Sequence, residues 1–574
     1  MNRDTEVCII GAGFAGLVAS LLCCQRQMRC VVIEKRSRDA GSVSNAHYLN
    51  AYTLEILVSV GLSIEALRAA AVDASIDKTM VVCHTLNRTL AKIDLHSDPT
   101  FSHRFAAAGR YGAFLNIRAS RLHHLLLSLA ESKGIEIRWS HGITALDSQQ
   151  QRVKVQPAHG QAYWLPCNTV LACDGASSHT VQMANIEHRH RTFYRYFFTI
   201  ECHGSIRSVV QDQAVMYWIY HERLLGCMIN FDLDALQVIQ IPVLTKEAIN
   251  WTDKDIKQRF SAICGIPVDA CQHSFRVCGH WRLETSLLSE ASQDHWLFVC
   301  GDALHQVLPA GGLGLNLALA DVFNLIWKLP RQQKASRAML ATYQTERIAV
   351  ADRALKQSVD NYHRFIAMSE TFLSGVGTGG LDGLLRSVPP SIRSSVVDAW
   401  LWLNRTSHDL DLIPADAWSE VMQHNRGHFD GMAMHFSAPY LSSLVFEPSQ
   451  RVLYALDSMR HRLFVGYRLM NFQCVIDRQV VTLGDVLDYD RWTFVVGQTS
   501  RVFMQHYRSF GLPKQLLQVD FDLALDLALD QCLPMQQCDC LLIRPDRYVA
   551  AFISMNDHER LERFGAFLRY ITTA

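Results

Sequence analysis

Glu6-Val7-Cys8-Ile9-Ile10-Gly11-Ala12-Gly13-Phe14-Ala15-Gly16 is the stretch that decides the fold. Val7 to Ile10 are apolar and mostly β-branched, so they predict a short buried strand. Three glycines follow at the spacing Gly-x-Gly-x-x-Gly, and Leu17–Cys24 then reads as an apolar helix. Each glycine has a physical task. Gly11 makes the tight turn, Gly13 lets backbone N–H groups approach a pyrophosphate, and Gly16 lets helix and strand pack closely. The helix N-terminus adds partial positive charge. A second strand, Cys30–Ile33, ends at Glu34, where a carboxylate is placed to accept hydrogen bonds from a ribose diol. Strand, turn, helix, strand and acid in this order predict a Rossmann-like dinucleotide-binding unit. Its expected contact residues are Gly11, Gly13, Phe14, Ala15, Gly16, Glu34 and Lys35.

Context gives the glycine pattern its meaning. Gly375-Val376-Gly377-Thr378-Gly379-Gly380 has the same spacing. It follows no convincing strand and precedes no strand ending in an acid, so it is read as a flexible loop.

Two later segments repeat the strand-then-turn signal. Thr169-Val170-Leu171-Ala172-Cys173 runs into Asp174-Gly175, and Trp296-Leu297-Phe298-Val299-Cys300 runs into Gly301-Asp302. The second continues through Pro309, Gly311, Gly312, Gly314, Leu315 and Asn316 into a nearly all-apolar helix, Leu317–Leu329, whose few polar positions are Asp321, Asn324 and Lys328. A helix apolar almost all round is buried. Either aspartate also suits an ordinary turn or capping role.

Taken together, the Gly-x-Gly-x-x-Gly turn, the Asp-Gly motif and the Gly-Asp motif resemble the class A, para-hydroxybenzoate hydroxylase-like flavoprotein monooxygenases. Tyr48–Leu57, Asn324–Leu329 and Tyr343–Arg347 resemble further segments of that family. The resemblance implies FAD as cofactor and NAD(P)H as co-substrate. Asp302 would bond the ribityl chain, Asp174 with Gly175 would serve the flavin and nicotinamide side, and Arg118 would touch the ribityl chain. Gly301, Pro309, Gly312, Gly314, Leu315 and Asn316 would line the flavin, with Pro309 as a stiff wall. Backbone N–H groups near Leu315 and Asn316 would stabilise charge on the reduced ring. The implied reaction is hydroxylation of an aromatic or polyketide-like molecule by O2, through a flavin C4a-hydroperoxide. Baeyer–Villiger insertion or epoxidation on the same scaffold is the alternative, followed by a flavin oxidase or dehydrogenase and by a non-catalytic FAD-binding protein. No catalytic base is identified.

Composition fits this reading. The 574 residues exceed one compact core. Lys+Arg and Asp+Glu are both 55, so bulk charge gives no reason to expect nucleic acid or an anionic membrane as partner. The apolar run at Val7–Ile10 is broken by Gly11, too short for a leader or a span, and a cytoplasmic protein is expected. The 17 cysteines include no Cys-x-x-Cys pair, and no metal-ligand spacing occurs.

The expected division is a Rossmann-like α/β FAD-binding domain at 1–185 and 276–365, a β-rich substrate domain inserted at 186–275, a helical connection at 366–440 and a thioredoxin-like α/β unit at 441–574. Within the insert, Phe193–Cys202, Ala214–His221, Leu224–Phe231 and Ala235–Val243 read as strands. Alternate side chains point to opposite faces, so either Tyr217 or the Trp218 and Tyr220 set is expected to line the substrate pocket. Leu541–Ala550, with its Arg544-Pro545-Asp546 core, resembles the C-terminal unit of longer family members and is expected to be structural or to support a homodimer.

Overall fold

The computed structural model describes residues 6–40, 46–95, 111–221, 223–243, 251–329, 337–374, 438–448 and 465–469, with further stretches between 473 and 573. The glycine pattern at 375–380 and most of the expected helical region at 366–440 lie outside the described residues.

The first sheet is built from the three motif strands. Val7–Ile10 pairs in parallel with Cys30–Glu34 on one side and with Thr169–Ala172 on the other. Thr169–Ala172 pairs in parallel with Leu297–Val299, and Cys30–Glu34 with Glu136–Trp139. Helices cover such a sheet, so its strands are apolar on both faces; Val7–Ile10, Thr169–Ala172 and Leu297–Val299 are each fully buried. Because these strands run the same way, their C-terminal ends share one edge. Gly11 N–H donates to Ile33 O at 2.8 Å, Cys173 N–H to Ile10 O at 2.8 Å and Cys300 N–H to Ala172 O at 3.0 Å, so the ladder continues into all three motifs.

Among the described residues the second sheet has eight strands and is larger than the sequence insert. His188–His203, Leu236–Val243, Leu224–Asp232 and Met216–His221 agree with expectation. Thr79–Thr85 extends the sheet in parallel from Met216–His221, and Arg88–Asp94 follows it. On the other side the long Ser274–Leu288 strand pairs with His188–His203. The sheet therefore draws strands from both flanking halves. Such pairing is non-local, which no short-range turn signal announces.

Towards the C-terminus, Lys514–Gln518, Trp492–Val496, Cys540–Ile543 and Val549–Ile553 form a mixed four-stranded sheet. This part is joined to the first domain by a buried ionic network. Glu346, on the long helix Arg337–Ser374, accepts from Lys328 Nζ at 2.7 Å, from Arg544 Nη2 at 2.9 Å and from Asn324 Nδ2 at 2.7 Å. Arg544 also donates to Asp546 at 2.7 Å, and Asn324 to Asp546 at 3.0 Å. The Lys328, Glu346, Arg544 and Asp546 side chains are wholly buried. Burial pulls the Lys328 ammonium down to about 8, against the pull of Glu346. Burial pushes the Glu346 carboxyl up, but Arg544 and Lys328 outweigh it and hold it far below the ordinary carboxylate range.

Candidate cofactor site

The glycine turn is shaped by its own backbone at two positions and by something else at the third. Gly11 has φ +104°, and a Cβ there would lie 2.4 Å from Cys173 O. A Cβ on Gly16 would lie 1.9 Å from Gly11 O, so helix and turn interlock. Gly13 differs. Its φ of −76° suits any residue, and among the described residues no atom beyond its chain neighbours lies within 4 Å of where its Cβ would be. The fold itself does not require glycine at this position; the space beside it is open.

Helix Phe14–Gln25 starts at Gly13 without a side-chain cap. Its first N–H groups therefore lack intrahelical partners, the arrangement that receives phosphate. Phe14 packs edge-on against His123 at 5.9 Å, and His123 Nε2 bonds Ala12 O at 2.9 Å, bracing the turn from behind. Glu34 accepts from Ala12 N–H at 2.8 Å and from Arg36 through N–H at 2.9 Å and Nε at 3.0 Å. Burial pushes its carboxyl up, but these donors hold it below the ordinary range. Lys35 is exposed beside it.

The Gly-Asp loop is held from below. Gly301 has φ +65°, and a Cβ there would press Ala318 at 3.0 Å and Ala15 at 3.7 Å, so the loop is pinched between the two helices that flank the cleft. Its N–H donates to Asp321 Oδ2 at 2.9 Å, which also bonds His305 Nε2 at 2.7 Å; Arg347 Nε bonds Asp321 Oδ1 at 2.6 Å. Burial pushes the Asp321 carboxyl up, but Arg347, His305 and the Gly301 N–H together hold it below the ordinary range. Asp302 behaves oppositely. The residue reaches solvent, yet the protein around its carboxyl removes enough water to raise it.

Helix Leu313–Ile326 also lacks a side-chain cap; Gly312 precedes it at φ +63° and lies against Tyr48. Gly314 is in the first turn, its Cβ position 4.0 Å from Asp302 Oδ1, with Leu315 next to it. Asn316 is a clamp: its amide donates to Tyr48 O at 3.0 Å and accepts from Asn50 N–H at 3.0 Å and Thr53 Oγ1 at 2.6 Å. The exposed Pro309 is flanked by two tethers to the long helix, Leu308 N–H to Ser358 at 3.1 Å and Asn361 to Ala310 O at 3.3 Å.

Four expected roles look different in the structure. Asp174 adjoins Gly11 through its backbone, but its carboxylate caps the next helix, accepting from Ser178 Oγ at 2.6 Å and Thr180 Oγ1 at 2.9 Å. Gly175, beside it, faces open space. Arg118 pairs with Glu201 at 2.8 Å. Tyr217 and Trp218 are corrected outright, being core residues at 0% and 3% exposure. The Tyr217 hydroxyl donates to Asp212 O at 2.8 Å and accepts from Ala214 N–H at 3.0 Å. Both rings lie in an apolar core with Phe198 and Phe260, which removes them from any pocket.

Sequence reasoning missed the supports, His305, Arg347 and His123. The available signal was Asp321, a carboxylate in an otherwise apolar helix that must have buried partners.

Two uncapped helix starts, an open glycine at one of them and the exposed Asp302 carboxylate near the other fit a dinucleotide with a flat ring system. The acid network beneath can be probed directly. Asp321 has its stabilising effect in full above the ordinary carboxylate pKa of about 4. That effect is lost as pH falls through the lower folded-state value. Melting wild type beside Asp321→Asn is therefore expected to show a constant stability gap above about pH 4 that closes below it. A gap already closing near neutrality would contradict this.

Comparison with known proteins places the chain. Residues 4–358 match the family described as FAD binding domain, more than half of the chain. The chain belongs to that family. It is 24% identical over 398 residues to the FAD-dependent monooxygenase apdD of Emericella nidulans, covering 64% of this chain and 62% of that protein. It is 26% identical over 370 residues to the 12-dehydrotetracycline 5-monooxygenase/anhydrotetracycline 6-monooxygenase of Streptomyces rimosus, covering 62% of this chain and 68% of the relative. With p-hydroxybenzoate hydroxylase of Acinetobacter baylyi it shares 24% over 337 residues, 56% of this chain and 76% of the other. The match thus spans less than two thirds of the apdD protein. In fold it resembles the flavin-dependent monooxygenase PieE, solved with FAD and substrate, at TM-score 0.81 and 18% identity over 100% of this chain and 99% of that one. Among the described residues no helix is long and apolar enough to cross a membrane.

Proposed function

We propose that this chain is an FAD-dependent monooxygenase that uses NAD(P)H and O2 to hydroxylate an aromatic or polyketide-like small molecule. The observation that carries the reading is the meeting of three strand ends at one edge, with two uncapped helix N-termini and an open Gly13. Relatives named for oxygenating tetracyclines and dichlorophenol support the substrate class.

FAD bound there supplies the electron transfer and oxygen activation, and the protein supplies position and electrostatics. Gly11, Gly13 and the N–H groups of Phe14, Ala15 and Gly16 would receive the pyrophosphate. Glu34, with Lys35 nearby, would take the adenosine ribose. Since Arg36 and Ala12 already fill that carboxylate's acceptor sites, the diol would replace the Arg36 guanidinium. Asp302 and Gly301 would hold the ribityl chain, with Arg118 released from Glu201 as its second contact. Asp174 and Gly175 would shape the backbone on the nicotinamide side. Pro309 and Gly312 would wall the ring, and the N–H groups of Gly314, Leu315 and Asn316 would offset negative charge at its pyrimidine edge.

The domain division at 1–185, 186–275, 276–365, 366–440 and 441–574 is part of this proposal, as are cytoplasmic location and a homodimer. The order of the C-terminal sheet, one parallel and two antiparallel pairings, supports a thioredoxin-like unit. The test is NAD(P)H oxidation across phenols and aromatic polyketides under labelled O2, with product mass. One labelled oxygen per product is expected; NAD(P)H consumption with only hydrogen peroxide formed across the panel would overturn the reading.

A further inference from the structure

Among the described residues, Arg195 in the second sheet pairs with no carboxylate. The His188–His203 strand shifts register between Phe193 and Arg195. Such a bulge re-aims side chains. Here it brings two consecutive residues to one ring, with Tyr194 at 5.5 Å from Tyr362 and the Arg195 guanidinium 5.7 Å above it. Arg195 lies opposite Leu283, and Leu283 packs with Leu308, Ala310 and Tyr362. Arg195 is therefore on the sheet face that meets the Pro309 wall. Two residues on, Phe197 stacks on Trp281 at 5.0 Å and 18°, both rings half-buried on the same face.

The Arg195 side chain is half-buried, and its Nε is buried with no hydrogen-bond partner among the described residues. Glu284, beside Leu283 on the partner strand, is engaged by Arg191 at 3.3 Å and Arg282 at 3.1 Å. Successive strand residues point to opposite faces, so Glu284 faces away from Arg195. The Tyr362 ring meets the charge but takes none of the guanidinium's N–H donors. A guanidinium presents a planar fork that matches an oxyanion, and a buried donor left unmade is costly.

We propose that Arg195 is the acid-recognising group of the substrate surface. The substrate it fits is a planar aromatic molecule with an anionic oxygen group, its rings against Phe197 and Trp281 and its anion on Arg195. This rests on the monooxygenase reading, since it places the substrate beside the flavin wall.

The test compares three naphthalene probes: neutral naphthol, hydroxynaphthoate, and a nitronaphthol ionised as phenolate. Binding is read by calorimetry and by perturbation of the flavin spectrum, for wild type, Arg195→Gln and Arg195→Lys. Wild type is expected to bind at least one anionic probe about tenfold or more tighter than naphthol. Whether hydroxynaphthoate, nitronaphtholate or both gain tells carboxylate from phenolate recognition. Arg195→Gln is expected to lose that preference with FAD content and naphthol affinity unchanged; Arg195→Lys is expected to keep part of it. Equal affinities in wild type, a preference unchanged in Arg195→Gln, or no binding of any probe to FAD-loaded protein would overturn the proposal. A chain that binds the anionic probes through Arg195 but holds no FAD would overturn only the monooxygenase reading. Melting curves verify that both variants fold.

Discussion

Gly13→Val is expected to leave the protein folded and to remove its FAD. The residue has an ordinary extended backbone, and among the described residues no atom beyond its chain neighbours lies within 4 Å of the new Cβ. Stability should therefore change by no more than about 1 kcal/mol, the scale of an N-cap substitution. A branched side chain at that point fills the approach to the free N–H groups at the start of helix Phe14–Gln25. The expected loss in FAD affinity is about a hundredfold, or ~3 kcal/mol. Equilibrium dialysis with FAD and a melting curve of the apoprotein measure the two quantities. Gly11→Ala separates the cases, because φ +104° and the 2.4 Å approach to Cys173 O make it a folding defect as well. Unchanged FAD affinity in Gly13→Val would place the cofactor elsewhere.

Glu346→Ala is expected to cost about 3–5 kcal/mol of stability, the range for removing one partner of a buried ionic group. The substitution strips Lys328 and Arg544 of their shared carboxylate and deprives Asn324 and Ser442 of an acceptor. Lys328 already titrates near 8 because it is buried, so without Glu346 it is expected to lose its proton. Arg544 cannot do so and would keep only Asp546. Lys328→Met is expected to cost a similar amount, since it leaves the single Arg544 guanidinium to serve the two buried carboxylates Glu346 and Asp546. Urea unfolding of both variants, followed by limited proteolysis across 438–573, tests the pair. Equal and small effects would show that the C-terminal part is not anchored through this cluster.

What the sequence made legible follows the range of the interactions involved. The glycine turn and its two flanking strands could be read because strand, turn, helix and strand follow one another in the chain. Gly11 and Gly16 answer backbone contacts, from Cys173 and from Gly11, whereas Gly13 meets none among the described residues and so points to a ligand. The strands at Thr169–Ala172 and Leu297–Val299 were legible as apolar runs, since a parallel sheet is buried on both faces. Asp174 and Arg118 show where motif reading stops. A carboxylate after a strand looks the same whether it turns to a ligand or to Ser178 and Thr180, and the partner of Arg118 is Glu201, in a separate sheet. Tyr217 and Trp218 failed for a non-local reason. Alternation says which side chains share a face but not what packs on it, and here both rings join a core with Phe260, from a helix later in the chain. Arg195 escaped notice because its isolation is a fact about its surroundings. Asp321, Asn324 and Lys328 were visible as polar residues in an apolar helix, but their partners His305, Arg347, Glu346 and Arg544 emerge only from the packing.

The most direct measurement is the flavin content of the purified chain. Protein isolated without added cofactor, or reconstituted with FAD and freed of excess, should carry one FAD per chain, released intact on denaturation and identified by mass. A colourless chain that takes up no FAD on reconstitution, while its melting curve shows it folded, would contradict the cofactor site built from Gly13, Asp302 and the two uncapped helix starts.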